Sequence, residues 1–341
     1  MKSLYLPAEW EPQSGVQLTF PHRGTDWAPY LEEAERCFFQ IAFEIAKREL
    51  LLVVTPDKPR ALQLLAGCNI NNIRIFELPT NDTWARDHGG ITVKRNGCLE
   101  ILNFTFNGWG KKFDATLDNQ ITPELFFGNA FAPGVTLGDR TPFVLEGGSI
   151  ESDGQGTILT TSECLLSDNR NEPMTREEIE AYLKTALGAK RVLWLYNGYL
   201  IGDDTDSHID TLVRFCDPQT IAYVRCEDES DAHFDTLQKM ETELRSFTTM
   251  NDTPYRLIPL PMADAMIVDG ERLPATYANF LIINGAVLMP TYCSDRDSLA
   301  KAALAMAFPD REIVEIDCSV LVKQHGSLHC VTMQYPEGVL R

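Results

Sequence analysis

The chain has 341 residues, 44% of them apolar, enough to bury a large core, and it carries a formal charge of −19 at neutral pH. So acidic a surface repels a phosphate backbone and excludes nucleic acid as a partner, whereas it would draw in a small cation. No run approaches the ~18 uninterrupted apolar residues of a membrane span, and the opening segment, broken by Pro7, Glu9 and Glu11, lacks the apolar core of a secretory signal.

In chain order, residues 31–48 place Leu31, Ala34, Phe38, Ile41, Ala42 and Ile45 at helical spacing, and Leu51-Leu52-Val53-Val54 then reads as a buried strand. A second helix-then-strand pair is predicted at 59–66 with 73–77, and Asn96-Gly97 signals a hairpin. Thr175 with Glu178 three residues on marks a helix start, Gly188 its end, and Arg191–Tyr196 the next strand. Further pairs fall at 231–246 with 255–260 and at 296–307 with 311–316, with a second hairpin turn at Asn284-Gly285. Five such pairs with no Pro/Gly/Ser-rich linker predict one internally repeated α/β domain over residues 1–341, with mixed sheets. Nine scattered cysteines without a Cys-x-x-Cys pair read as reduced thiols and predict a cytoplasmic protein.

Four polar stretches interrupt this framework, each beside glycine or at a strand end. They are Thr83-Trp84-Ala85-Arg86-Asp87-His88-Gly89-Gly90, Leu145-Glu146-Gly147-Gly148-Ser149, the run from Gly202 to Asp210, and His325-Gly326-Ser327-Leu328-His329-Cys330. The acidic run could hold a metal, but counted from Asp204 a calcium loop would need Gly where Ile209 stands and Glu where Phe215 stands; zinc spacings are missing too. No metal or other cofactor is expected. Taken singly, Cys330 reads as a small buried hydrophobe, His208 as a capping histidine, Asp87 as the partner of Arg86 and Glu146 as a turn residue. Their spacing is regular: 146 − 87 = 59, 208 − 146 = 62 and 330 − 208 = 122, about twice 61.

These stretches, in this order, resemble the agmatine deiminases and their bacterial peptidylarginine deiminase-like relatives. Leu6-Pro7-Ala8-Glu9-Trp10-Glu11-Pro12, Phe106-Asn107-Gly108-Trp109-Gly110 and Ala307-Phe308-Pro309-Asp310-Arg311 carry the same resemblance. It implies the pentein fold, a five-bladed α/β propeller with the site on its axis. It also implies Cys330 as nucleophile, His208 as general acid and base, Asp87 and Asp210 as the carboxylates that hold a guanidinium, and Glu146 as the group that orients His208. The expected activity is hydrolysis of agmatine to N-carbamoylputrescine and ammonia. Trp84, Trp109, Asp204 and Asp206 are expected to bind the substrate, the carboxylates facing its ammonium tail. The chain departs from the family at Gln324-His325-Gly326-Ser327, where Gly-Gly-Gly-Asn is usual, and at Asp204, where Glu is frequent. Deimination of free or peptidyl arginine, a metal-dependent hydrolase on residues 203–210, and a non-catalytic guanidine-binding protein are the alternatives; a homo-oligomer is left open.

Overall fold

The computed structural model describes residues 4–341. Besides a two-stranded antiparallel ribbon of Met266–Val268 and Glu271–Leu273, its strands form five small mixed sheets of one plan, an antiparallel pair followed by a helix that returns a third strand parallel to the second. In the first sheet, Gln13–Thr19 and Leu50–Thr55 are parallel, joined by helix Leu31–Ala46, and the outer antiparallel strand is Thr332–Pro336 from the far end of the chain. The second is built from Ile91–Arg95, Cys98–Thr105 and Thr136–Val144 with helix Asp118–Phe127. The third holds Ile150–Ser152, Thr157–Thr161 and Arg191–Leu195 with helix Arg176–Leu187. Val213–Asp217, Thr220–Arg225 and Arg256–Pro261 with helix Phe234–Ser246 make the fourth. The fifth has Leu281–Ile283, Ala286–Thr291 and Glu312–Asp317 with helix Asp297–Ala307.

All five predicted helix-then-strand pairs are present, but one of them extends a sheet rather than founding one. Helix Lys58–Leu64 and strand Ile73–Glu77 lengthen the first sheet. The pair that belongs to the second sheet escaped the sequence pattern because Pro123 lies inside its helix and its strand carries Gly138 and Pro142 with no continuous apolar face. Both hairpins form; Asn96 and Gly97 take positive φ of 52° and 86°, as a two-residue turn between twisted strands requires.

Helix Arg176–Leu187 shows how local chemistry sets these boundaries. The Thr175 hydroxyl accepts from the Glu178 N–H at 3.3 Å while the Glu178 carboxylate accepts from the Thr175 N–H at 2.8 Å. Gly188 then leaves the helix at φ +73°, where a Cβ would lie 2.3 Å from the Leu4 carbonyl. Thr175→Ala should lower unfolding free energy by about 1 kcal/mol with activity unchanged, measured by denaturant titration. An unaltered denaturation midpoint would show that the cap contributes nothing here.

Candidate active site

The turn entering the first strand of each sheet brings polar side chains to one buried cluster. Asp87 precedes Ile91, Glu146 precedes Ile150, His208 and Asp210 precede Val213, Asn279 precedes Leu281, and Cys330 precedes Thr332. The 122-residue gap between His208 and Cys330 is thereby explained, since Asn279 stands within it (279 − 208 = 71; 330 − 279 = 51).

Asp87 is fully enclosed. One oxygen accepts from the Gly148 N–H and the other from the Trp109 indole, both at 3.0 Å, and His208 Nδ1 lies 3.7 Å from Oδ1. Arg86, its chain neighbour, points away, toward Glu9 at 3.7 Å. Burial, helped by the charges of Asp210 and Glu146, pushes Asp87 up to about 6 against the pull of His208. Burial works the other way on His208, yet the negative charges around it, Asp87 first, hold its pKa well above the usual imidazole range. Gly148 is the one residue type that fits here, because a Cβ would stand 2.7 Å from His208 Nδ1, 2.9 Å from Asp87 Oδ1 and 3.1 Å from Asp210 Oδ2. The Trp109 indole is delivered by bent backbone, with Gly108, Trp109, Gly110 and Lys111 all at positive φ.

Cys330 is 5% exposed, and its Sγ lies 3.3 Å from Asn279 Oδ1 and 3.9 Å from Asp210 Oδ2. The same Asn279 oxygen accepts the N–H groups of His329 and Cys330 at 2.9 and 3.2 Å, which fixes the turn that carries the thiol. Burial and the Asp210 and Asp87 charges hold the thiol well above its usual pKa. Asp210 Oδ2 pairs with His329 Nδ1 at 2.7 Å, while Oδ1 has no partner among the described residues. Burial opposes ionisation of Asp210, but His329 holds its pKa down.

Glu146 is bound by the Arg170 guanidinium, whose Nε reaches both carboxylate oxygens at 3.0 and 3.1 Å, and a Glu146 oxygen lies within 4.8 Å of a His208 ring nitrogen. Arg170 also donates to Asp206 Oδ2 at 2.6 Å and to the Thr205 carbonyl at 2.8 Å. Two groupings have the residue types of a metal site, Glu146 with Cys164 and His208, and Glu9 with Glu151 and His329. Each has an arginine on its carboxylates, Arg170 in the first and Arg214 in the second, and that fixed positive charge opposes a cation. The acidic run supplies no shared site: Asp203 caps Thr205 and Ser207, Asp206 pairs with Lys112 and Arg170, and Asp210 with His329.

One cavity is lined by the buried Asp87, Cys330, Trp84 and Trp109 together with the more exposed Phe113, Asp26, Asp82 and Asp204. Burial pushes Asp82 and Asp204 up to about 6 each, Asp204 being further raised by Asp203. Asp206 does not line this cavity; its carboxylate holds Lys112 and Arg170 instead. At the divergent turn, Gln324 donates to the Asp26 carbonyl at 3.0 Å and His325, at φ +64°, pairs through Nδ1 with the Gly202 carbonyl at 2.7 Å. Gly326 packs against the Trp84 ring, where a Cβ would lie 2.2 Å from Cζ3.

Sequence reasoning missed Asn279, Arg170, Cys164 and the partnership of Glu9 with His329. Asn279 alone left a signal, the doubled interval before Cys330. Arg170 lies in a loop without periodicity, and Glu9 meets His329 across 320 positions of chain.

Over residues 5–336 the chain matches the family described as Porphyromonas-type peptidyl-arginine deiminase. A Vibrio parahaemolyticus protein named "Putative agmatine deiminase" is 34% identical, across 97% of this chain and 96% of its own. Among solved structures, a Porphyromonas gingivalis protein described as a "Putative Arginine Deiminase" is 55% identical with TM-score 0.96, covering 99% of this chain and 100% of that one. A Cys-to-Ser variant of C. jejuni agmatine deiminase with substrate bound is 39% identical with TM-score 0.92, covering 99% and 97%. The protein is thus a hydrolase that acts on a guanidino C–N bond. It belongs to the Porphyromonas-type peptidyl-arginine deiminase family, in which the agmatine deiminases stand.

Proposed function

We propose that the protein hydrolyses agmatine to N-carbamoylputrescine and ammonia through a thiouronium on Cys330. The observation that carries this reading is the convergence of His208, Asp87 and Asp210 on the space above Gly148, with the Cys330 sulfur beside Asp210. Two carboxylates can hold a planar guanidinium with its carbon against the sulfur. Its positive charge offsets the very charges that keep Cys330 protonated, so substrate binding releases the thiol proton to solvent and arms the nucleophile. The thiolate adds to the guanidinium carbon, and protonated His208 gives its proton to the departing nitrogen, which leaves as ammonia. His208 then deprotonates a water that attacks the same carbon, expelling the thiolate and leaving a ureido product. Glu146, clamped by Arg170, is assigned to steady His208. The five sheets are read as five blades around this cluster, the pentein propeller, in a single catalytic domain over residues 1–341; their equivalent entry turns support it.

Because Asp87 and Asp204 ionise near 6, both are neutral below that pH and bind a cation poorly. kcat/KM should therefore rise with pH through about 6, and a profile flat between about pH 5 and 8 would contradict these roles.

Agmatine is preferred over arginine because its tail meets Asp26, Asp82 and Asp204 at the outer cavity, whereas arginine adds a carboxylate to those charges. The nearest buried arginines are engaged: Arg86 faces Glu9, Arg170 holds Glu146, and Arg214 lies between Glu9 and Glu151. Discrimination should reach about 10²-fold in kcat/KM. Ammonia release from agmatine, arginine and a carboxy-terminal arginine peptide at one pH and ionic strength tests this. The likeness to a described arginine deiminase makes free arginine the second reading, and equal or higher kcat/KM on arginine would establish it.

A further inference from the structure

The proposed reaction uses Asp210 but gives no task to the histidine next to the nucleophile or to Glu9. His329 is buried, with Asp210 Oδ2 at 2.7 Å from Nδ1 and Glu9 Oε2 at 2.8 Å from Nε2. Both ring nitrogens therefore act as donors, the arrangement of an imidazolium held between two carboxylates. Glu9 is itself anchored, since the Oε2 that meets His329 also pairs with Arg214 at 2.9 Å and Oε1 accepts from the Ile282 N–H at 2.7 Å. Arg214 in turn is bound by Glu151, which also accepts from the Phe215 N–H at 3.1 Å. Alternating charges thus run from the strand bearing Phe215, through Arg214, Glu9 and His329, to Asp210. At the end of that row Asp210 Oδ1 has no hydrogen-bond partner among the described residues.

We propose that His329, braced by Glu9, is a positioning residue that fixes the Asp210 carboxylate by one oxygen and leaves the other to bind the guanidinium. The proposal rests on the deiminase reading for the identity of the cation, while the row of buried contacts stands independently of turnover. A carboxylate free to rotate could turn both oxygens away from the substrate; one held through Oδ2 cannot. The amino-terminal turn at Glu9, remote in sequence, is in this way part of substrate recognition.

The test compares alkylation of Cys330 by a small amidinium-bearing haloacetamidine with alkylation by neutral iodoacetamide, the modified residue being located by peptide mass mapping. Wild type should react faster with the amidinium reagent. In His329→Ala that preference should fall about 10- to 100-fold, with KM for agmatine rising more than kcat falls, and imidazole added to the buffer should restore part of it. Glu9→Gln, nearly the same shape, should shift the preference in the same direction and guards against misfolding of His329→Ala; both are checked by thermal unfolding. A folded His329→Ala or Glu9→Gln protein with wild-type preference and wild-type KM would overturn the proposal, as would a wild type that shows no amidinium preference. A wild type that prefers the amidinium reagent yet releases no ammonia would remove the deiminase reading and keep the positioning role.

Discussion

Cys330→Ser should lower ammonia release by more than about 10⁴-fold while the protein remains folded. The guanidinium carbon is stabilised by resonance, and a serine hydroxyl in the same place would have to lose a far more tightly held proton before attacking it. The thiol is itself held protonated by burial and by Asp210 and Asp87, so the site depends on the substrate's charge to release the proton. That aid suffices for a sulfur and falls short for an alcohol. Folding should survive because the turn is fixed by the Cys330 N–H on Asn279 and by the Cys330 carbonyl accepting from Arg86 at 3.1 Å, contacts that belong to the backbone. A serine hydroxyl could also donate to Asn279 Oδ1. Steady-state assay with denaturant unfolding checks both parts; near-normal turnover by a folded variant would remove Cys330 from the chemistry.

His208→Ala should cost about 10²–10⁴ in kcat, because one side chain both protonates the leaving nitrogen and deprotonates the water. The enclosed Asp87, with Glu146 behind it, keeps the imidazole protonated at rest, the state needed for the first of those steps. After ammonia leaves, the neutral ring is the base for the second. Loss should fall on kcat, whereas His329→Ala should fall mainly on KM, so two buried histidines are separated by kinetics alone. Should His329→Ala lose the kcat and His208→Ala keep it, the roles are reversed.

The framework was legible where local chemistry is strong. Thr175, Glu178 and Gly188 bound a helix by capping geometry, and Asn96-Gly97 sets its turn by φ alone. The second sheet's helix stayed hidden because Pro123 and its exposed face break the periodicity. Among site residues, Asp87, Glu146, His208, Asp210 and Cys330 announce themselves through glycine-flanked polar runs, and the structure gathers them. Asp204 faces the cavity but Asp206 does not, a difference that follows from left-handed backbone at Asp206 and Ser207 and from Arg170, neither of which a residue pattern reveals. Long-range pairs such as Glu9 with His329 are invisible for the same reason: folding, and nothing local, brings them together.

The covalent intermediate is where the account is most exposed. Mass spectrometry of wild-type protein quenched at successive times during agmatine turnover should find Cys330 carrying agmatine less one ammonia. Ammonia release with Cys330 unmodified at every quench time, or an adduct on another cysteine, would contradict it.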